Sequence, residues 1–215
     1  MKKITILFLI IFTLSCNDKE KLDKELARLR YNYATTNDKT FLEKAYKLLN
    51  DNEYFDKEIV NQKNLDFVFP IYFYLEKFSE LEVLIEESKG LDDFTRKYSL
   101  NLITAYSHYK EGDLSKAEKR IKQNIEILSS ESSLNPQDSI LLVDLYKMKV
   151  HTNNYEDLIN EVDSLIREDT LNSELFYRKI LIPEINEYKN ALPEYISNRL
   201  TSIPLYETNN SGGSN

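Results

Sequence analysis

The side chains able to do covalent or metal chemistry are few in this chain. One cysteine, Cys16, and two histidines, His108 and His151, are its entire stock of thiol and imidazole. A single thiol makes no disulfide within the chain. Two imidazoles this far apart supply neither a His-x-x-x-His pair nor a Cys/His zinc set. No glycine-rich phosphate loop and no Gly-x-Ser-x-Gly nucleophile turn occurs. Carboxylates are abundant, but pairs such as Glu86-Glu87 and Asp92-Asp93 lie in polar stretches. That is the pattern of a solvated face, not of an acid and a base held across a cleft. His108, one helical turn before Gly112, reads as an ordinary packed histidine. The sequence therefore predicts no enzyme, no metal and no cofactor.

The remaining chemistry belongs to Cys16 and the segment before it. Residues 1–16 read MKKITILFLIIFTLSC: Lys2 and Lys3, then an apolar run from Ile4 to Leu14, then Ser15 and the cysteine. The run has the length of a signal-peptide core and is too short to cross about 30 Å of hydrocarbon. Leu14-Ser15-Cys16 resembles the lipobox of bacterial lipoproteins, although Thr13 stands where that box usually has a bulky aliphatic residue. The resemblance implies that residues 1–15 are a removed signal peptide. It also implies that Cys16 is diacylated on sulfur and then acylated on nitrogen. Several acyl chains, at roughly 0.8 kcal/mol per buried methylene, hold a protein stably at a membrane. Residues 16–24 are then a lipidated tether, and the expected location is the cell envelope, at the outer membrane. Asn17-Asp18-Lys19-Glu20 resembles the surface-export signals of some Gram-negative lineages and equally fits a plain solvated tether. Which side of the membrane the protein faces stays open.

Composition bounds the rest. The 215 residues are 41% hydrophobic and 30% charged, which excludes a disordered chain and a polytopic membrane protein. Gly90 and Gly112 are the only glycines ahead of the last four residues, too few for the turns of a β-rich or doubly wound fold. The formal charge is −8, and removal of Lys2 and Lys3 with the leader makes it more negative. Such a chain lacks the cations that nucleic-acid binding requires, and anionic headgroups repel it.

Apolar residues recur at helical spacing. Leu22, Leu26, Leu29 and Tyr33 form one stripe; Ala117, Ile121, Ile125 and Leu128 a second; Tyr155, Leu158, Ile159, Val162, Leu165 and Ile166 a third. Between Tyr106 and Ile127, Gly112-Asp113-Leu114 separates two helical stretches, with Ala105 before it and Ala117 after. Asn153-Asn154-Tyr155, Asn186-Glu187-Tyr188 and Lys77-Phe78 repeat that break. With Phe78, Leu114, Tyr155 and Tyr188 as equivalents, the intervals bracket about 34 residues. The pattern resembles the tetratricopeptide repeat, in which small residues let two helices approach closely. The fold class implied is all-α, an α-solenoid of about five tetratricopeptide-like helix pairs over residues 20–205, with residues 206–215 a disordered tail. Pro70 and Pro193 are expected to interrupt helices, and Pro183 to end one.

Aromatic residues are plentiful without tryptophan: 15 tyrosines and 10 phenylalanines. Most must be core. In the repeat family the first helix of each pair lines a concave groove. Carrying that register over places Phe73, Tyr74, Tyr106, Tyr109, Lys110, Lys147 and His151 on a protein-binding surface. The implied function is a membrane-anchored scaffold or adaptor with a protein partner and no nucleic acid. Its layout resembles that of helical-repeat lipoproteins accompanying the outer-membrane β-barrel assembly machine. A glycan- or nutrient-uptake accessory lipoprotein and an immunity-type envelope protein are the alternatives.

Overall fold

The computed structural model describes residues 21–51, 62–135, 138–168 and 174–200. The leader, Cys16 and the 206–215 tail lie outside the described residues. The helices are α1 (21–36), α2 (Thr40–Asp51), α3 (Gln62–Tyr74), α4 (Phe78–Glu87), α5 (Asp93–Glu111), α6 (Leu114–Leu134), α7 (Ser139–Lys149) and α8 (Tyr155–Glu168). A short α9 (Glu174–Phe176) then runs through a π-helical turn (Tyr177–Leu181) into α10 (Ile182–Ala191), and α11 (Glu194–Leu200) follows. No extended strand occurs among the described residues, so the fold is all-α. The helices gather into two compact units, one ending at Ile103 and the other beginning at Thr104, within α5.

In the first unit, α2 and α4 both pack on α3. Leu42, Ala45 and Leu49 line the inner face of α2 at helical spacing; Leu65, Val68, Ile71 and Tyr72 line that of α3; Phe78, Leu81, Leu84 and Ile85 that of α4. Pro70 does not interrupt α3, contrary to expectation. Proline removes one backbone hydrogen bond, but its neighbours Val68 and Ile71 are fully buried, and that burial holds the helix together. Arg96 closes the end of α4. Its guanidinium donates to the carbonyls of Ile85 at 2.5 Å, Glu86 at 3.0 Å and Ser88. A cation there satisfies carbonyls left over at the negative end of the helix.

In the second unit, α7 packs against α6 and α10. Ala105, Ala117, Ile121, Leu128, Met148, Leu158, Val162, Leu181 and Ile185 are buried. The stripe on α6 departs from the sequence reading at one position. Asn124 is fully buried and Ile125 only half-buried, because 3.6 residues per turn rotates the inner face away from a strict four-residue step. Pro183 ends nothing, since it sits in the first turn of α10. The preceding turn has widened to π geometry, with Ile182 N–H bonded to the Tyr177 carbonyl. A wider turn there accommodates the clash a proline ring makes with the carbonyl four residues back. Pro193 does lie in a break, between α10 and α11.

Three helices stop on a residue at positive φ. After α5, Gly112 has φ +79°, its N–H bonds the Tyr109 carbonyl (3.1 Å), and Asp113 N–H bonds the His108 carbonyl (2.9 Å). After α3, Glu76 has φ +57°, with Glu76 N–H on Phe73 (3.0 Å) and Lys77 N–H on Tyr72 (2.9 Å). Both are paired-bond stops on a left-handed residue. After α1, Asn37 at φ +54° makes the simpler version through Tyr33 (2.7 Å). Acceptors then start the next helix: Asp38 takes Thr40 N–H, Asp92 takes Thr95 N–H, and Asp113 takes Lys116 N–H. Asp138 takes Ile140 N–H and Asn154 takes Glu156 N–H. The expected breaks at Lys77-Phe78, Gly112-Asp113-Leu114 and Asn153-Asn154-Tyr155 are observed, with α4, α6 and α8 beginning at Phe78, Leu114 and Tyr155. The fourth is not: Tyr188 lies inside α10, and the break falls at Leu192-Pro193. Asn-Glu-Tyr is compatible with a helix interior, so nothing local forces a stop there.

Two stability outcomes follow. Ala117→Leu inserts three heavy atoms at a fully buried position and should cost about 1–3 kcal/mol by overpacking; an unchanged urea midpoint would show that the site has room. Glu76→Gly should raise the midpoint, by about 0.5–1 kcal/mol, because a side chain at positive φ is strained where glycine is not. A lower midpoint would mean that Glu76 contributes more through its contacts than it loses through its backbone.

Candidate functional site

Of the residues expected on a binding groove, the structure brings three together: Tyr106 and Tyr109 on α5 and His151 just past α7. His151 stacks on the Tyr109 ring at 5.7 Å and 17°, and meets the edges of Tyr106 and Tyr188 at 5.7 Å each. The hydroxyl of Tyr188, from α10, joins them. It lies 2.8 Å from His151 Nε2 and 3.0 Å from the Tyr106 hydroxyl. The chain of bonds runs in one of two directions, set by the imidazole tautomer. Either Nε2 accepts from Tyr188, which accepts from Tyr106, or the donors reverse.

This cluster is core and not groove. Tyr106 is 2% exposed, Tyr109 4% and His151 2%. The sequence reading that placed them on an accessible surface is corrected here. A third element, α10, supplies Tyr188 as their polar partner, and the register that took Tyr188 for a turn residue concealed it. The signal was present, since Leu181, Ile185 and Tyr188 follow one another at helical spacing. A tyrosine–histidine pair is competent in proton transfer, but only to an atom within hydrogen-bond reach. Tyr106, Tyr109 and His151 are buried and Tyr188 is half-buried, and the cluster ties α5, α7 and α10 together.

The remaining predicted residues are dispersed. Lys147 is half-buried, and its ammonium pairs with Glu184 of α10 at 2.7 Å. Lys110 is exposed in the last turn of α5. In the first unit Phe73 is locked among Phe69 (5.2 Å), Phe78 (5.6 Å) and Tyr74 (6.0 Å). Tyr74 alone of the predicted aromatics is substantially accessible, at 42%, with one side against Tyr33 (5.6 Å).

Several buried and half-buried ionisable groups have displaced pKa values. Burial pushes the Tyr72 hydroxyl up to about 12, aided by Tyr46 and Glu80 nearby. Burial also raises Tyr146, whose hydroxyl donates to Glu161 at 2.9 Å. The same carboxylate takes the Lys149 ammonium at 2.6 Å. Asp144 is raised by burial, partly offset by Lys147. Among the described residues no cluster of three or more His, Cys, Asp or Glu is arranged to hold a metal ion. No family model, no curated protein and no solved structure matches the chain.

Tyr188→Phe removes the hydroxyl that both Tyr106 and His151 use. Leaving such buried polar atoms short of a partner should cost about 1–3 kcal/mol, read as a lower urea midpoint. Tyr106→Ala should cost more, about 3–5 kcal/mol, by opening a cavity. Tyr74→Ala, on an accessible ring, should shift the midpoint far less. Equal effects at Tyr74 and Tyr106 would contradict the assignment of the cluster to the core.

Proposed function

We propose that this chain is a lipid-anchored cell-envelope protein whose helix pairs form a tetratricopeptide-like scaffold for a protein partner in an envelope assembly or export complex. The observation that carries the scaffold reading is the recurrent helix stop, a left-handed residue followed by an Asx-started helix, at Asn37-Asp38 and Gly112-Asp113. Glu76-Lys77 makes the stop without the Asx start. Left-handed stops recurring at intervals near the repeat length fit stacked helix pairs. Ala105 and Ala117, both fully buried, supply the small residues such pairs need.

The anchor reading rests on the sequence: Lys2-Lys3, the apolar run Ile4 to Leu14, and the chain's one cysteine directly after Ser15. No helix among the described residues is long and apolar enough to cross a membrane. Attachment through acyl chains on Cys16 is therefore consistent with the described body. A net charge of −8 makes purely electrostatic attachment unfavourable.

Cys16→Ser should abolish incorporation of a fatty-acid probe and release the protein from the membrane fraction. Equal labelling of mutant and wild type would end the anchor reading. Cross-linking of the wild-type protein in intact cells, with the product identified by mass, tests the scaffold reading; a protein that cross-links to nothing would refute it.

A further inference from the structure

We propose that His151 makes the seating of α10 sensitive to acid: its neutral imidazole holds Tyr188, and its protonation releases α10 from α5 and α7. The switch needs neither the anchor nor the scaffold. α10 meets α7 along a seam of two polar contacts. Lys147 reaches Glu184 at 2.7 Å, and one turn on, His151 Nε2 lies 2.8 Å from the Tyr188 hydroxyl. Tyr188 carries that contact on to the Tyr106 hydroxyl of α5 at 3.0 Å. Apolar burial adds little here. Ile185 is the one buried side chain within α10, against Leu145, Tyr146 and Met148 on α7 and Ala117, Ile121, Asn124 and Leu128 on α6. Local opening is drawn from elements with few buried apolar contacts, so α10 is the helix that gives way.

The enclosure disfavours a cation. The imidazole is buried, stacked on Tyr109 of α5 and against Tyr106 of α5 and Tyr188 of α10. Tyrosine is neutral at these pH values. The charges on the same seam, Lys147 and Glu184, bind each other. Elsewhere on the packed elements, Glu161 of α8 is taken by Tyr146 and Lys149, Lys189 of α10 lies over Tyr155, and Lys110 and Glu187 are exposed. A charge brought into such a site loses its hydration, and the stacked tyrosine ring returns only part of that cost. Protonation also fixes Nε2 as a donor, which removes the arrangement in which it accepts from Tyr188.

The sign follows from linkage. In the opened chain the imidazole is solvated and charges near the ordinary value of about 6.5. The open form then binds a proton that the closed form does not, so stability present above about pH 6.5 is lost as the pH falls through it. Asp144 of α7 works in the opposite direction. Burial raises it, with Asp138 and Glu184 adding and Lys147 opposing, so it takes a proton more readily in the fold and acid favours the fold through it. Release of α10 uncovers Tyr106 and Tyr109 together, and acid thereby exchanges a closed core for an accessible aromatic face.

The test uses the full chain in a neutral detergent, with urea unfolding and amide hydrogen exchange followed from pH 7.5 to 5.5, above the ordinary carboxylate range. The wild-type unfolding constant should rise about tenfold across that window, as one solvated imidazole charges. His151→Gln should flatten the rise, and Asp144→Asn should keep it. Amides of α10 should lose protection in acid before those of α6 and α7. Proton magnetic resonance of the wild type should show the His151 imidazole still neutral in the folded chain at pH 5.5, with His108→Gln identifying the other histidine signal. That measurement decides the matter even where His151→Gln fails to fold. An equal rise in a folded His151→Gln overturns the proposal. So does an imidazole that charges in the fold at or above its ordinary value, and so do α10 amides that open only together with those of α6.

Discussion

Ending a helix without leaving its last carbonyls unsatisfied is the constraint on which the rest of this fold depends. A chain that folds as successive helices must stop and turn many times, and each stop must satisfy loose carbonyls, for which a residue at positive φ or a cation reaching back are two solutions. Glycine makes the first solution cheap, yet this chain places just two glycines ahead of its tail. Gly112 takes one stop; Asn37 and Glu76 take two others at φ values that cost a side chain energy. At α4 the chain changes method, and Arg96 reaches back from α5 to hold three carbonyls. These devices set where helices end, and therefore which apolar stripes face one another.

Asx acceptors complete the turns. Asp38, Asp92, Asp113, Asp138 and Asn154 each accept a backbone N–H from the helix they start. For Asp38 and Asp92 that bonding favours the ionised form and holds the carboxyl below its usual range, and for Asp113 the Lys116 ammonium does so first and the backbone N–H second. This is why the helix starts were legible in the sequence at Leu114 and Tyr155, where Asp or Asn precedes the helix. The start after Glu76 was legible only through register, because glutamate in a left-handed position carries no compositional mark. The all-α character was legible from the helical spacing and the scarcity of glycine. The register failed at Tyr188 because Asn-Glu-Tyr resembles a turn in composition and yet is tolerated inside a helix, and Ile185 behind it is fully buried. Pro70 misled for a related reason: proline disfavours a helix locally, and the burial of flanking residues outweighs it; Pro183 misled because the π turn ahead of it makes room for its ring.

The groove residues illustrate a different limit. A tyrosine at a repeat's inner position reads as accessible only if no later element covers it, and α10, more than seventy residues on from Tyr106, does so. Periodicity reports which face of a helix is apolar; it does not report what covers that face. The polar atoms of Tyr106, His151 and Tyr188 had to be satisfied together, and their mutual bonding makes the packing of α10 on α5 and α7 specific where leucines would allow several arrangements. The Lys147–Glu184 pair, on the same two helices α7 and α10, adds a second directional contact.

Once the large aromatics are assigned to packing, the character of any recognition by this molecule changes. Interfaces anchored by buried tyrosine or tryptophan draw their affinity from desolvated area and release slowly. Here the tyrosines best placed by sequence are 2–4% exposed, and Tyr74, at 42%, keeps one ring neighbour of its own. The accessible large hydrophobics Leu134 and Ile140 flank the polar connection between α6 and α7, while Leu175 and Ile180 lie on and beside the π turn. They are scattered, and isolated apolar residues on a surface are ordinary. What the surface presents in quantity is charge, both signs interspersed, with one run of cations on α6. Contacts made through such a surface steer encounter and fix register more than they add affinity. A scaffold of the kind proposed would therefore associate quickly and release readily. The proposed lipid anchor would complement weak contacts, since confinement to one membrane raises the effective concentration of a partner held on the same surface.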